Sequence, residues 1–428
     1  MTASSSAPRG GSAAAWIGAV AVCAVAPLVF QHDGARSLLT QVGVMIVFAL
    51  SYNMLLGQSG MLSFGHAIYS GLGAYFAIHA MNAVGAGRIV FPISLLPLVG
   101  GLGAMACGVV FGYVTTRRSG TPFAMITLGL GELVFASSLM FPGFFGGEGG
   151  IEGNRTSGPP LFGIHGWNLG PQLQVYILVC AWSFLSALAM YALTQTPLGR
   201  IANAVRDNPE RAEFIGYSAQ RVRWLMVILS SFFAGIAGGL TAINFEIVSA
   251  ENVGALRSGG VLVATFIGGA AVFWGPVLGA IVYVLFAVTL SAFTKAWQLY
   301  LGVFFVALVL FAPGGLGSLI AVNLRVFRAR RLRALLAPYA GLAATGFLVL
   351  ATSACLVEMT YHRTLEQATG PTLNFVGLDL DTDSAGTWVA LVAATLVAVG
   401  AFVFAARRFG AAWDRIQEDI SSTGAGHR

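Results

Sequence analysis

The chain has 428 residues, of which 57% are hydrophobic and only 9% are charged. Soluble globular domains carry about 25% charged residues, so this composition excludes that class and predicts an all-α, polytopic membrane bundle. The formal charge of +6 does not indicate nucleic acid as a partner, because the basic residues are spread over short loops between apolar segments. The hydrophobic pattern predicts about 11–12 membrane segments, counting short broken helices.

The motifs of common enzymes are missing from the sequence. Lys295 is the only lysine and it follows Thr294, whereas a phosphate-binding loop needs Gly-Lys followed by Ser or Thr. The four cysteines lie apart in apolar stretches, without the C-x-x-C spacing of a metal or redox pair. We therefore expect no catalytic residues, no metal and no cofactor, and ATP that drives this chain must be hydrolysed by another subunit.

The N-terminal third begins with two predicted spans and a glycine-rich stretch. Residues 13–30 predict an uncleaved membrane anchor, because no A-x-A cleavage site follows them. A span at 37–56 then leads into 57–81, where glycines and polar side chains favour close helix packing or a broken helix lining a cavity. The polar residues that would line such a cavity, and so form a candidate pathway through the bundle, are Asn53, Gln58, Ser59, Ser63 and His66. For His66, a buried ring bonded to a backbone carbonyl is the alternative to a pathway role.

An ionisable residue lies near the middle of a later span. Two spans are predicted at 89–114 and 122–141, and Glu132 is central in the second. A carboxylate there costs roughly 2.5–3.5 kcal/mol if it faces lipid, so we expect it to face the bundle interior. Contact with substrate and a hydrogen bond between helices both stay open as its role. The glycine-rich loop 143–172 is expected on the outer face.

A polar stretch at 194–223 separates spans predicted at 173–193 and 224–248. Thr196 and Asn208, each followed by proline, predict the capped starts of two short helices. Gly216 predicts the end of the second helix. The arginines of the stretch place it in the cytoplasm: Arg200, Arg206, Arg211, Arg221 and Arg223.

The first of these short helices has an apolar face. Leu198, Ile201 and Val205 fall three and four residues apart, so they share a face that can lie on the membrane surface or on a neighbouring helix. The polar residues between them are expected to point elsewhere: Arg200, Asn203 and Arg206.

The apolar stretch 257–293 has glycine-containing breaks, which leaves one or two passes open. A single pass would put the basic cluster at 325–333 outside, whereas two short passes with a turn near residue 273 put it inside. The positive-inside rule therefore predicts two passes. One span at 297–320 follows, and both termini are then cytoplasmic.

These elements divide the chain into four parts. They are a tail and first span at 1–36, a core at 37–322 that contains the polar stretch 194–223, an extension with two further spans at 323–406, and a tail at 407–428. In the last part, Phe409, Trp413, Ile416 and Ile420 recur at three- and four-residue spacing. This spacing predicts an amphipathic helix on the membrane surface, with a solvated tail as the alternative.

Several stretches resemble one family of transport proteins, the LivM-type permease subunits of branched-chain amino acid ABC importers. Glu210, Arg211, Ala212 and, after three more residues, Gly216 resemble the E-A-A-x-x-x-G motif by which ABC permeases dock on their ATPases, with Arg211 as a departure. The longest similar stretch is GRIANAVRDNPERAEFIGYSAQRVRWLMVILSSFFAGIAGGL. Four others, LLGQSGMLSFGHAIYSGLGAY, RRSGTPFAMITLGLGELVF, FIGGAAVFWGPVLGA and FAPGGLGSL, extend the resemblance over roughly residues 40–320.

The resemblance implies a membrane subunit of an ATP-driven importer of leucine, isoleucine or valine in the bacterial inner membrane. The partners implied are a homologous second permease subunit, two ATP-binding cassette subunits and a periplasmic substrate-binding protein, with lipid around the bundle. It also assigns contact with the ATPase to seven positions in the polar stretch: Gly199, Arg200, Arg206, Asp207, Glu210, Ala212 and Gly216.

Two other functions stay open from the sequence. Related permeases move urea, short amides or other small solutes, and the membrane subunit reveals little about the solute. A secondary transporter driven by protons or sodium would need several carboxylates or histidines within the spans, and Glu132 is the only carboxylate near the centre of a predicted span. Residues 323–428 lie outside the usual pattern of the family.

Overall fold

The computed structural model describes residues 9–159, 167–328, 332–365, 372–375 and 378–425. Helix dominates these ranges, in agreement with the all-α prediction. The α-helices in chain order are α1 (Arg9–Val29), α2 (Asp33–Asn53), α3 (Ala67–Gly85), α4 (Leu96–Thr115), α5 (Thr121–Met140), α6 (Pro142–Phe145), α7 (Gln172–Gln195), α8 (Pro197–Asp207), α9 (Pro209–Phe214), α10 (Ala219–Phe245), α11 (Ala255–Gly268), α12 (Gly275–Val284), α13 (Ser291–Phe293), α14 (Trp297–Phe311), α15 (Gly315–Arg328), α16 (Leu332–Leu365) and α17 (Ala385–Ala425).

The polytopic helical fold is confirmed. Among the described residues, eight helices are long and apolar enough to cross a membrane, and the bent pair α14 and α15 makes a ninth candidate. Two shorter apolar helices, Trp16–Val29 and α11, and the glycine-rich α3 account for the short segments expected from the sequence. Two small antiparallel ladders complete the structure, β1 (Ile151–Glu152) with β2 (Ile247–Val248) and β3 (Thr372–Phe375) with β4 (Leu378–Asp381).

The chain forms two compact units, one of residues 1–290 and 301–318 and the other of 291–300 and 319–428. In the first unit α10 packs against α2, α3 and α4. Small residues allow this: a Cβ on Gly238 would overlap the carbonyl oxygen of Ser70, so the two backbones are in direct contact. Ser230 on α10 donates a hydrogen bond of 2.7 Å to the carbonyl oxygen of Ser51 on α2. The core of this unit therefore surrounds α10.

The predicted turn within 257–293 is present. α11 ends at Gly268, Gly269 has a φ of +95°, and α12 begins at Gly275. Gly279 lies against the carbonyl of Ala264, as expected for two antiparallel helices in close contact.

The predicted span at 297–320 is present as a bent pair of helices and not as one continuous helix. The helix breaks at residues 312–314 with a bend of 48°. Pro313 disfavours helical geometry before it, and Gly315, with a φ of +72°, packs against Gly269 of the α11–α12 turn. The break lets two glycine-containing turns meet.

In the second unit α16 packs against α17. The prediction of a separate helix at 407–428 is wrong, because α17 runs without a break from Ala385 to Ala425. Phe409 stacks on Trp413, with ring centroids 5.8 Å apart, and also contacts Tyr339 of α16. Phe409 and Trp413, which are four residues apart, thus lie on the side of α17 that meets α16, whereas the side chains of Ile416 and Ile420 lie outside the described residues.

Candidate functional site

The two short helices of the polar stretch form as the sequence predicts. The Thr196 hydroxyl accepts a hydrogen bond from the backbone N–H of Gly199 at 3.4 Å and begins α8. The Asn208 carboxamide oxygen accepts from the N–H of Arg211 at 3.0 Å and begins α9. Gly216 follows α9 with a φ of +90°, which is the left-handed geometry of a helix end. We call residues 194–223 the α8–α9 loop.

The apolar face of α8 points into the bundle. Val205 and Ala202 are buried, and Leu198 and Ile201 are half-buried beside α7 and α10. The cavity that remains under this face has a volume of about 10 Å³, room for at most one water molecule. The α8–α9 loop is therefore docked closely on the membrane helices.

Two polar residues of α8 also face the bundle, contrary to the prediction that they point elsewhere. The Asn203 amide donates a hydrogen bond of 3.1 Å to the side-chain oxygen of Gln58. Arg206 donates a very short hydrogen bond to the carbonyl oxygen of Gly57, and its Cγ lies against Gly60. Asn203 lies one helical turn after the buried Gly199, so it shares the face that meets the bundle. Arg206 lies at the edge of that face, and its long side chain reaches over it. Arg200 is exposed, as predicted.

The segment that α8 contacts is the break between α2 and α3. Residues Met54–Gln58 form one turn of π-helix, which is often found at functional sites, and 59–66 are irregular. We call residues 53–66 the hinge segment. Asn53, Ser59 and Ser63 are buried in it, and Gln58 is half-buried.

His66 is fully buried at the end of the hinge segment. Its Nε2 lies 3.0 Å from the hydroxyl of Ser51, so its partner is a side chain and not the backbone carbonyl that the sequence suggested. The ring stacks on Phe48 with centroids 5.5 Å apart, and Nδ1 has no hydrogen-bond partner among the described residues. The predicted pathway residues 53–66 are thus brought together, in closely packed surroundings.

The hinge segment also contacts elements beyond α8. The N–H of Phe64 donates to the Thr127 hydroxyl on α5 at 3.2 Å. The N–H of Ala67 donates to the Ser258 hydroxyl on α11 at 3.0 Å. Gly57 lies directly against the carbonyl oxygen of Ala270 in the α11–α12 turn. A displacement of α8 would therefore reach α5 and α11 through this segment.

The structure does not bring Glu132 into this group. Its side chain is exposed on the surface of the chain, so the prediction that it faces the interior is wrong. The buried residues of α5, among them Thr127, Gly131 and Val134, form one stripe, and the residue after Gly131 is turned about 100° away from it. An exposed carboxylate within a span needs water, a polar headgroup or another protein beside it.

The outer surface of the α8–α9 loop carries charges and two exposed apolar residues. Glu210, Arg211 and Asp207 are exposed, and Asp207 pairs with Arg206 at 3.0 Å. Phe214 is 89% exposed and Ile215 is 69% exposed, which the sequence analysis did not single out. Two large apolar residues this exposed on a polar loop are typical of a protein interaction surface. Ala212 is buried and holds α9 in place.

A buried carboxylate was missed in the second unit. Glu358 lies within α16 and accepts hydrogen bonds from Thr294 at 2.5 Å and Tyr300 at 2.9 Å. No role was predicted for this residue from the sequence. Across the described residues no cluster of His, Cys, Asp and Glu could hold a metal ion.

Apolar helices around a small-residue core, with a capped polar loop docked on a central break, define a membrane permease. The model of the family described as "Branched-chain amino acid transport system / permease component" matches residues 34–313. This is more than half of the chain, and the chain belongs to that family.

Curated relatives agree with this assignment. The high-affinity branched-chain amino acid transport system permease protein LivM of Escherichia coli (strain K12) is 29% identical over 318 residues, 70% of this chain and 73% of that protein. The fructose import permease protein FrcC of Rhizobium meliloti is 26% identical over 214 residues, 47% of this chain and 57% of that protein. No solved structure matches the chain. These relatives are transport permeases, so the chain is a membrane transport subunit with several spans.

Proposed function

We propose that the chain is the permease subunit of an ATP-driven importer that moves leucine, isoleucine or valine across the bacterial inner membrane. Its partners are a homologous second permease subunit, two ATP-binding cassette subunits and a periplasmic substrate-binding protein. Both termini then lie in the cytoplasm, with the α8–α9 loop. The similarity to LivM over 70% of the chain supports this substrate class.

One observation carries the ATP-driven mechanism. The α8–α9 loop is joined to the hinge segment by hydrogen bonds from Asn203 to Gln58 and from Arg206 to the Gly57 carbonyl. The opposite side of the loop presents Phe214 and Ile215, which are largely exposed. A partner that binds this outer side can therefore move the hinge segment through α8.

The hinge segment can respond because its backbone is irregular. A π-helical turn and an irregular stretch replace the regular hydrogen bonds of a continuous helix at residues 54–66. ATP binding to the partner would shift α8, and the contacts of Gly57 with Ala270 and of Phe64 with Thr127 would pass this shift to α11 and α5. Such a segment allows the bundle two packings, open to opposite sides of the membrane.

The test separates assembly from coupling. We expect the double variant Asn203→Ala, Arg206→Ala to co-purify with its ATPase, because Phe214 and Ile215 are untouched. Uptake of leucine into proteoliposomes should fall on the order of tenfold, within the range of coupling free energies between sites. Stimulation of ATP hydrolysis by the loaded binding protein should be lost as well.

Arg221→Gln is the matched control, since Arg221 is an exposed arginine of the same loop. Normal uptake and normal stimulation in the double variant would contradict the proposed mechanism. Uptake by the chain alone, with an ion gradient and without ATP, would show instead a secondary transporter.

The similarity to a fructose permease favours one comparison of substrates. In the same proteoliposomes, leucine, fructose and urea should be offered together with the substrate-binding protein that partners this chain. We expect transport of leucine only. Transport of fructose or urea in place of leucine would support the proposal of an importer and contradict the proposed substrate.

A further inference from the structure

A cavity in the first unit holds a cationic side chain that the proposed mechanism does not use. It lies between α2, α10, α11 and α12 with the π-helical turn Leu285–Leu290, and its volume is about 180 Å³. An engineered apolar cavity of about 150 Å³ is large enough to take up benzene, so this one has room for a small organic molecule. Arg257, from the first turn of α11, reaches into it.

The guanidinium of Arg257 is held in place by neutral partners. Nη1 donates to the Asn252 carboxamide at 3.1 Å, and Nη2 donates to the Thr241 hydroxyl at 3.0 Å. Nε is buried and has no hydrogen-bond partner within the described ranges, where no carboxylate forms an ion pair with Arg257 either. A fixed cation without a counter-charge in a membrane protein is costly and indicates a functional site.

The other residues that line the cavity form a polar part and an apolar part. Beside Arg257, the polar residues of the wall are Gln41, Thr241 and Tyr283, none of which is acidic. Val44, Met45 and Phe48 form an apolar wall on α2, and the Phe48 ring centroid lies 5.7 Å from the guanidinium carbon. The cavity thus offers one cation and a short apolar surface, which are complementary to a carboxylate with a small aliphatic chain.

We infer that this cavity binds the carboxylate of a small aliphatic acid through Arg257, with the aliphatic chain against Val44, Met45 and Phe48. A guanidinium binds a carboxylate through paired N–H donors, and Nε is available as one of them. No acidic residue lines the cavity, so no side chain there would form an ion pair with the ammonium group of an amino acid. A carboxylic acid without an ammonium group is therefore expected to bind as well. The assignment of this cavity as the site for the transported amino acid rests on the proposed function.

The position of the cavity connects it to the hinge segment. Phe48 touches Arg257 on one side and stacks on His66 on the other, with ring centroids 5.5 Å apart. A ligand in the cavity would therefore press on the residue that closes the hinge segment. A fatty acid presents the same carboxylate, and the binding test distinguishes these two sources.

The test measures binding to the full chain in nanodiscs of neutral lipid, without ATP or ATPase. The probes are leucine, 4-methylpentanoate and 4-methylpentanamide, which differ only in the charged groups. A ligand that binds the folded state raises the thermal unfolding midpoint. We expect leucine and 4-methylpentanoate to raise it in a dose-dependent manner and the amide to leave it unchanged.

Variants assign the effect to the cavity. Arg257→Gln should weaken binding of both carboxylates at least tenfold, and Val44→Phe, which fills the cavity and leaves the bonds of Arg257 intact, should do the same. Arg88→Gln, an exposed arginine elsewhere in the first unit, should bind as the unmodified chain does. For each variant, the unfolding midpoint without ligand is measured first and should equal that of the unmodified chain. If Arg257→Gln does not fold, the binding result of Val44→Phe tests the inference.

Three results would overturn the inference. They are equal binding of the amide and the acid, normal binding by both cavity variants, and, when palmitate or anionic lipid is added to the same nanodiscs, a shift with either of these but none with leucine or 4-methylpentanoate. None of them involves ATP hydrolysis or the α8–α9 loop. A negative result in this binding test therefore does not contradict the coupling mechanism, and a negative result in the coupling test does not contradict this site.

Discussion

Two helices of similar hydrophobicity have opposite surroundings. The most apolar window of α10 has a mean hydropathy of 1.9 and is 89% buried, whereas that of α17 has a mean hydropathy of 2.5 and is 6% buried. Hydrophobicity therefore identifies both as membrane spans and does not distinguish a helix that is buried in its unit from one that is exposed. In a bilayer, lipid solvates apolar side chains as well as protein does.

The glycines of the two helices do distinguish them. Gly238 of α10 lies in direct backbone contact with Ser70 of α3, whereas nothing lies within 4 Å of the Cβ position of Gly400 in α17. Helices associate in membranes where small residues let backbones approach closely. The following predictions test this difference, from the largest expected effect to the smallest.

The first prediction compares the same substitution in both helices. Gly238→Leu should destabilise the chain by about 3 kcal/mol or more, because the side chain has no space and the facing atoms are backbone. Gly400→Leu should change stability by less than about 0.5 kcal/mol. The measurement is the thermal unfolding midpoint of each purified variant in detergent. Equal midpoints would remove the distinction drawn between the two helices.

The second prediction applies the same logic to the α11–α12 hairpin. Gly279→Val should cost about 1–3 kcal/mol, because its Cβ would overlap the carbonyl of Ala264. Gly302→Val on α14 is the control, since its Cβ position has open space around it. Unfolding midpoints again provide the comparison, and a stable Gly279→Val variant would show that the hairpin can separate at no cost.

The third prediction concerns the hydrogen bond that caps the short helix α9. Asn208→Ala should destabilise α9 by about 1 kcal/mol, the usual cost of losing an N-cap. Asn208→Asp keeps an acceptor for the Arg211 N–H and should restore the helix. Amide hydrogen exchange at residues 211–216 measures this locally. Faster exchange in the Asp variant than in the Ala variant would be inconsistent with the cap.

The fourth prediction has the smallest expected effect. Glu132 is exposed, so Glu132→Gln should change the stability of the isolated chain by less than about 0.5 kcal/mol. Thr127→Val on the same helix is the comparison, because it removes the acceptor of the Phe64 N–H and should cost about 1–3 kcal/mol. A reversed order of these two variants would place Glu132 in the interior after all.

Sequence reasoning predicted the parts of the candidate site that depend on neighbouring residues. The caps of α8 and α9 by Thr196 and Asn208 could be predicted, because a capping side chain accepts a hydrogen bond from a backbone N–H only two or three residues further along the chain. It was wrong about Asn203, which reaches Gln58, and about Glu132, which is exposed. For Glu132 the reason is that α5 is apolar on nearly every side, so its sequence carries little information about which side meets its neighbours. For Asn203 the reason is that its partner Gln58 lies 145 residues away in the chain.

The sequence by itself determined the membrane-spanning helical class, the two capped helices of the α8–α9 loop and the glycine-containing turn between α11 and α12. These follow from local hydrogen bonding, backbone geometry and the need to satisfy every peptide group within lipid. Only the tertiary structure decided that α8 bonds to the hinge segment and that Arg257 faces a cavity. Both features join residues far apart in the chain, and their positions follow from which helices small residues allow to approach.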